Sequence, residues 1–531
     1  MRACLWLALL APAALCSAAG VSSRRPVSSA RSSRAPGPGS SSSSSGSRRL
    51  RAGEQANHAD LPLGPVSLAL GPPATAAAAS TRSSQVGFLE STILGLLPSA
   101  VLTRYLNRLW IGGGTLHDPQ TLMTTEDLIR REGYPVETYR VRTQDGYMPM
   151  LIRIPRGRGE GASKPRAPDT AAAAERQEQQ EGDGDKVRRA AGDKERPQTP
   201  QAAPQDKGPV LITHGVLQCS DNWVLRGRDH DLPFLLADAG YDVWLANTRG
   251  STYSRSHTKF ADNDFRFWDY TLHEPGAYDL PAFFDKVLNA SGADKLHYIG
   301  HSMGTTIFYI LGSTRPDLMS KVRLAVHLAP VTYWSRIQSP MAKRTFQAAA
   351  VLKRLDMPML FDNYFSRSNR SVFLADTLCR DGSPVQTLCA EVLFSVVGSN
   401  RAQLNASMLP MIFAHFPAGA SVGQVAHYYQ NYEQGVFHQY DYGSEKNILK
   451  YGKSKPPEYQ MSRVSAPVAI WYGLNDRLVY HEDVIALSKQ LPNLVGLHQV
   501  KFPKFNHFDF LWAKDSYSLL YKHVIEVMSQ Y

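Results

Sequence analysis

Long apolar runs are missing from this chain. No apolar run of about 18 residues or more, free of charge and proline, occurs, which excludes a multi-pass membrane protein. No phosphate-cradling glycine loop and no dinucleotide fingerprint occur, so no cofactor is expected. Metal-ligand spacing is absent as well. Asp229-His230-Asp231 resembles a metal site only superficially, because no further ligands are spaced to close it, and no metal is expected. The 39 Gly and 34 Pro follow no period, and no internal repeat is visible. Cysteine is scarce, with 5 in 531 residues. What remains is a globular composition, 43% hydrophobic and 20% charged, which excludes a wholly disordered chain or a coiled coil.

The net charge of +11 is unevenly placed. Residues 1–122 hold 11 Lys and Arg against 4 Asp and Glu. The basicity therefore belongs mainly to the N-terminal tail, and no nucleic-acid partner is expected. Residues 1–19 read as a secretory signal peptide. Arg2 precedes the apolar Leu5–Leu15 stretch, and Cys16-Ser17-Ala18-Ala19 supplies small residues for cleavage. The mature chain then has no transmembrane segment, and Cys219, Cys379 and Cys389 are its remaining cysteines. Asn289, Asn369 and Asn405 head Asn-x-Ser sequons, in keeping with a secreted or lysosomal destination.

Residues 20–122 form a low-complexity tail, too poor in apolar surface to offset its chain entropy. Within it, Gly87–Trp110 has a loosely helical apolar pattern suited to docking on the protein body. Ordered sequence begins with residues 123–155, a helix start at Thr125 and a hairpin turning at Gln144–Tyr147. Residues 156–207 are charged and rich in Ala, Gln and Pro, and read as a disordered surface insertion. From 208 to 330 short apolar strands alternate with helices, and the rhythm returns over 464–531. That alternation specifies an α/β fold with a mostly parallel sheet covered on both faces. Residues 331–463 break it with aromatic-rich, mostly helical sequence, which reads as a cap over the sheet's edge.

Chemistry concentrates at Gly300-His301-Ser302-Met303-Gly304. A Gly-x-Ser-x-Gly pentapeptide between a strand and a helix exposes the serine hydroxyl on a tight turn at the helix N-terminus. Ser302 is thus a candidate nucleophile, with Gly300 and Gly304 as elbow glycines. A serine needs a base. His507, just after the last expected strand (Val495–Phe502), is placed to reach over the sheet. The orienting acid should end an earlier strand, and Asp476 does so after Ile470-Trp471-Tyr472. Asp509 is too near His507 along the chain for that role, and Asp483 lies in a helix start. Two amides should form the oxyanion hole, that of Met303 and that of Val216 in the loop His214-Gly215-Val216-Leu217.

These residues, with Asn222-Trp223, Ala237–Trp244, Asn247-Thr248-Arg249-Gly250, Tyr278–Ala282, Leu328–Val331 and Asn506–Phe510, resemble the acid lipase family of α/β-hydrolases over about residues 124–155 and 208–531. The resemblance implies a Ser-Asp-His triad, a helical cap with a lid, and hydrolysis of triacylglycerol or cholesteryl esters at a lipid–water interface. It also implies a disulfide between Cys379 and Cys389 in the cap, although three cysteines leave other pairings open. Met303 departs from the family's usual Gln, and the tail and the 156–207 insertion have no family counterpart. A short-chain carboxylesterase or thioesterase, or a catalytically silent lipid-binding protein, are the competing readings, and protein partners are unknown. The aromatic cluster Tyr428, Tyr429, Tyr432, Phe437, Tyr440 and Tyr442 is compatible with either an acyl pocket or plain core.

Overall fold

A computed structural model describes residues 118–157, 207–354 and 366–531. The signal peptide, the tail with its Gly87–Trp110 pattern and nearly all of the 156–207 insertion lie outside the described residues, as do Leu360, Phe361, Tyr364 and Phe365 of the cap.

The first helix, α1 (Thr125–Arg131), starts where its sequence supplies a cap. The Thr124 hydroxyl accepts from the Asp127 amide at 3.2 Å, and the Asp127 carboxylate accepts from the Thr124 amide at 3.0 Å. Two reciprocal bonds thereby satisfy amides that a helix start otherwise leaves open. The hairpin follows as β1 (Glu137–Arg140) and β2 (Met150–Ile154). Its turn closes through the Thr143 amide on the Tyr147 carbonyl at 2.9 Å, with Gly146 at φ +98°.

Six more strands complete the sheet: β3 (Pro209–Thr213), β4 (Asp242–Asn247), β5 (Leu296–His301), β6 (Val322–Leu328), β7 (Val468–Tyr472) and β8 (Leu494–Gln499). Their spatial order is β1-β2-β4-β3-β5-β6-β7-β8. The hairpin strands are antiparallel, and β3 to β8 run parallel to one another. The central strands are buried along nearly their whole length because helices cover both faces. Leu324, Val326, Ile299 and Leu211 are wholly buried, each contributing roughly 1.5–3 kcal/mol. By contrast β8 alternates between half-buried and exposed residues, as an edge strand does. It ends at Gln499, short of the expected Phe502, because the chain turns through Lys501–Lys504 at Pro503.

The covering helices are α2 (Leu232–Asp238), α3 (Leu280–Ser291) and α4 (Met303–Thr314), with a π turn at Pro275–Asp279 feeding α3. The cap supplies α5 (Pro340–Arg354), α6 (Asn369–Leu378), α7 (Gln386–Val397), α8 (Leu409–His415), α9 (Val422–Gln434) and α10 (Ser444–Tyr451), and α11 (His481–Ser488) returns to the sheet. Cys379 is bonded to Cys389, joining the end of α6 to α7, while Cys219 is free and buried. One apolar core runs continuously from the sheet into α5, α7 and α9.

Polarity of the strands fixes where chemistry occurs. Parallel β3, β5 and β6 all end at one edge, where Thr213 aligns with Gly300 and His301 with Leu328. Chain leaving that edge at Thr213, His301, Leu328 and Tyr472 converges on a common space. The 156–207 insertion joins the fold at the other edge. Ile154 pairs with Val243 and Pro209 with Asp242, and the Lys207 amide donates to Gly240 at 3.1 Å.

Candidate active site

Ser302 sits between β5 and α4 with φ +52° and ψ −116°. A side chain other than glycine in such a conformation costs on the order of 1–3 kcal/mol, which the surrounding structure must enforce. Close packing does so. A Cβ added to Gly304 would lie 2.5 Å from the Thr213 carbonyl oxygen, and one on Gly300 would lie 2.8 Å from the Gly304 carbonyl carbon. Only glycines let the turn sink this far into the sheet edge. The Ser302 amide donates to Leu328 at 3.0 Å, which anchors the turn to β6.

Asp476 follows β7, as its sequence position suggests. One of its oxygens faces His507 Nδ1 at 2.7 Å. The other accepts from the amides of Leu478 at 2.9 Å and Val479 at 2.8 Å. Three donors hold the carboxylate, so the proton of His507 resides on Nδ1 and leaves Nε2 free to accept. His507 itself rides on a tight turn. Asn506 accepts from the amides of Phe508 at 2.9 Å and Asp509 at 3.0 Å and donates to Gly398 at 2.8 Å. The other two carboxylates are used elsewhere. Asp509 accepts from Asn400 at 2.6 Å and from the Asn506 amide at 2.8 Å. Burial pushes its carboxyl up to about 7. Asp483 bonds to Ser335 and to the Arg336 amide.

Ser302 and His507 line one cavity, together with Gly215, Val216, Leu217 and Gln218 of the loop after β3. A Cβ on Gly215 would stand 3.1 Å from that of Ser302, so this glycine allows the loop to lie against the serine. The loop is braced on three sides. The Gly215 amide donates to Gln218 Oε1 at 2.7 Å, Leu217 holds φ +62°, and the Leu217 carbonyl accepts from Ala418 of the cap at 2.7 Å. Met303 is buried at the start of α4, where its sulfur takes the Gln424 side-chain amide at 3.5 Å. The Met303 and Val216 residues thus flank Ser302 from two elements.

The rest of the cavity is apolar. Met341, Ala342, Thr345 and Phe346 of α5, Leu393 and Val396 of α7, and Phe416, Leu478 and Phe508 complete it. None of the aromatic cluster Tyr428–Tyr442 lines this space, so the acyl-pocket reading of that cluster is corrected. Tyr428 lies one layer deeper, 4.9 Å from Trp334 between ring centres, with its hydroxyl 2.8 Å from that of Thr306. Tyr440 and Tyr442 meet edge to face, 4.8 Å between ring centres, in the polar groove beside Asp441. Aromatic density in the sequence does not tell which side of a helix meets the cavity. The four α5 residues have helical spacing and carry a signal of one face, but nothing local says what that face meets.

Asn289, Asn369 and Asn405 are exposed. Asp231 of the Asp229–Asp231 triplet accepts from the amides of Arg226 at 2.7 Å and Gly227 at 3.0 Å. Among the described residues no helix is long and apolar enough to cross a membrane.

A sequence model of the alpha/beta hydrolase fold matches residues 208–514, and one of the partial alpha/beta-hydrolase lipase region matches residues 125–227. The sheet order, the serine elbow and these matches define an α/β hydrolase. The chain is 34% identical over 410 residues to Lipase 1 of Drosophila melanogaster, covering 77% of this chain and 80% of that one. It is 32% identical over 422 residues to the gastric triacylglycerol lipase of Homo sapiens, covering 78% and 94%. Lipase member K of Homo sapiens is 32% identical over 420 residues, covering 79% and 94%. The chain belongs to the acid lipase family and is an ester hydrolase.

Proposed function

We propose that this enzyme hydrolyses carboxylic esters of neutral lipids, triacylglycerol or cholesteryl ester, through an acyl-enzyme intermediate. The observation that carries the reading is the 2.7 Å contact between His507 and Asp476 beside an apolar cavity that Ser302 also lines. Ser302 Oγ attacks the ester carbonyl while His507 Nε2 takes its proton. Asp476 holds the ring in one tautomer and stabilises the imidazolium. The Val216 and Met303 amides receive the oxyanion, aided by the positive end of α4. His507 then protonates the departing alcohol, and water enters by the reverse sequence to release the fatty acid.

Nine apolar or small side chains around the serine suit a hydrocarbon chain, which gains roughly 0.8 kcal/mol for each buried methylene. Similarity to a protein named gastric triacylglycerol lipase supports the triacylglycerol reading. A route through the secretory pathway to the lysosome or the cell exterior follows from the N-terminal signal sequence and the three sequons. The substrate is then met at a lipid–water interface.

The test is hydrolysis by the purified full chain across ester chain lengths, at acid and neutral pH. Long-chain neutral esters should be cleaved, with the activity abolished in Ser302→Ala. A preference for short soluble esters would select the carboxylesterase reading, and no hydrolysis of any ester would select a silent lipid-binding protein.

A further inference from the structure

His301, immediately before the nucleophile, is wholly buried and has no place in the reaction steps above. Its ring nevertheless lies between the two loops that those steps require. Nε2 is 3.0 Å from the main-chain carbonyl oxygen of His507, and Nδ1 is 3.2 Å from Gln218 Oε1. The same Gln218 oxygen accepts the Gly215 amide at 2.7 Å, which identifies it as the oxygen end of the carboxamide. Rings enclose the imidazole. His507 lies 4.8 Å away between centres, Phe510 6.1 Å, and Trp223 presents its edge at 6.2 Å. Burial, with His507 adding to it, holds the His301 imidazole well below its ordinary range, so the ring is neutral and carries one N–H.

That single proton has a preferred seat. The His507 carbonyl is the nearer acceptor, at 3.0 Å against 3.2 Å for Gln218 Oε1. Gln218 Oε1 already has the Gly215 amide. A neutral ring with its proton on Nε2 therefore bonds the strand end that carries Ser302 directly to the main chain that carries His507. Ser302 Oγ and His507 Nε2 reside on segments 205 residues apart. A misplacement of about 1 Å between such groups costs on the order of 100-fold in rate.

We propose that His301 is a positioning residue for the hydrolytic reaction: its Nε2–H bond to the His507 carbonyl sets the imidazole of His507 against the hydroxyl of Ser302. The proposal rests on the Ser302–His507–Asp476 reading of the site. The side chain touches neither substrate nor reacting atoms in this role, and its effect runs wholly through the placement of His507.

Three substitutions in the full chain separate the contributions. His301→Phe keeps a ring and removes both nitrogens. His301→Gln puts an amide where Nε2 was, and His301→Asn puts one where Nδ1 was. With a soluble p-nitrophenyl ester, His301→Phe and His301→Asn should lower kcat about 30–300-fold while KM stays within about threefold. His301→Gln should restore kcat to within about tenfold of the parent, since it alone of the three can donate to the His507 carbonyl. If His301→Phe does not fold, the two polar variants decide by themselves. Rescue by Asn but not by Gln would overturn the proposal, as would a folded His301→Phe with kcat within about threefold of the parent. Ser302→Ala, assayed alongside, keeps the two readings apart. Activity in that variant removes the nucleophile assignment itself, whereas an inactive Ser302→Ala beside a fully active His301→Phe removes only the positioning role.

Discussion

Arg249 and Asp279 are joined by three hydrogen bonds inside the protein. The Arg249 amide and Nε each reach the carboxylate at 2.9 Å, and the guanidinium NH2 does so at 2.6 Å. Both side chains have no exposed surface. The guanidinium also bonds to Asp145 in the hairpin turn and lies 3.9 Å over the Tyr147 ring. Three segments distant in sequence, the β1–β2 hairpin, the loop after β4 and the start of α3, are thereby pinned to one cation. Removing one partner of such a pair leaves a buried charge poorly compensated. Asp279→Asn is expected to destabilise the protein by about 3–5 kcal/mol. Chemical denaturation measures it, and a loss below about 1 kcal/mol would contradict the assignment.

The proposed triad makes a sharper demand. Ser302→Ala and His507→Ala should each lower kcat by roughly 10⁴–10⁶-fold in a protein that still folds, because the three groups act as a unit. Asp476→Asn should cost about 10⁴-fold, since the amide presents the wrong partner to Nδ1. Single-substrate kinetics with circular dichroism as a folding control decide it. Near-parental hydrolysis by Ser302→Ala would dismiss the mechanism.

Asp509 gives a prediction with a definite sign. Its carboxyl rises from 3.8 to about 7 in the folded protein, chiefly through burial, with Asp476 adding to the rise. Between those values the folded chain keeps a proton that the unfolded chain has released. Stability from this group is therefore fully present at low pH and declines as pH rises toward 7. Asp509→Asn keeps an oxygen for Asn400 and the Asn506 amide but has nothing to titrate. The fall in unfolding free energy between pH 5 and pH 8 should be smaller in the variant by about 1–3 kcal/mol. Equal falls in parent and variant would show that Asp509 is not the group responsible.

Interfacial behaviour is the fourth expectation. Among the apolar cap residues, Phe346 and Phe416 line the cavity, and Met411 and Ile412 are buried. An apolar rim of this kind stays covered in water and is uncovered at a lipid surface. Activity on a long-chain triacylglycerol should rise steeply once droplets or micelles form, with a smaller rise for a short soluble ester. Rate against substrate concentration through the solubility limit is the measurement. Smooth hyperbolas for both, with short esters preferred, would favour a carboxylesterase with a rigid cap.

Much of this architecture is written locally. Each of β3 to β7 is built on a short, mostly apolar segment. The serine elbow is a five-residue pattern whose glycines are demanded by contacts of 2.5–2.8 Å. Asp476 and His507 stand out as candidates because each follows a strand, and the fold sets them 2.7 Å apart. What the sequence hides is contact across segments. Nothing near Gln218 announces that its side chain closes the Gly215 turn, and nothing near His301 announces the His507 carbonyl. Such bonds depend on strand order and register, which bring residues 218, 301 and 507 together only after the sheet forms. The aromatic cluster around Tyr428 shows the converse, a conspicuous local pattern whose burial is settled by its neighbours.

The sheet's two edges age differently. Residues 156–207 enter and leave beside the turn that precedes β4, and Ser302 lies at the far end of strands five or six residues long, a separation of about 15–20 Å. The chain of 156–207 therefore joins the sheet at the end opposite the serine. A change of length at that place acts at a distance from the serine, which offers an engineer a site for insertion. An affinity handle or fluorescent reporter spliced there would sit at the sheet end opposite Ser302 and leave the cavity mouth clear.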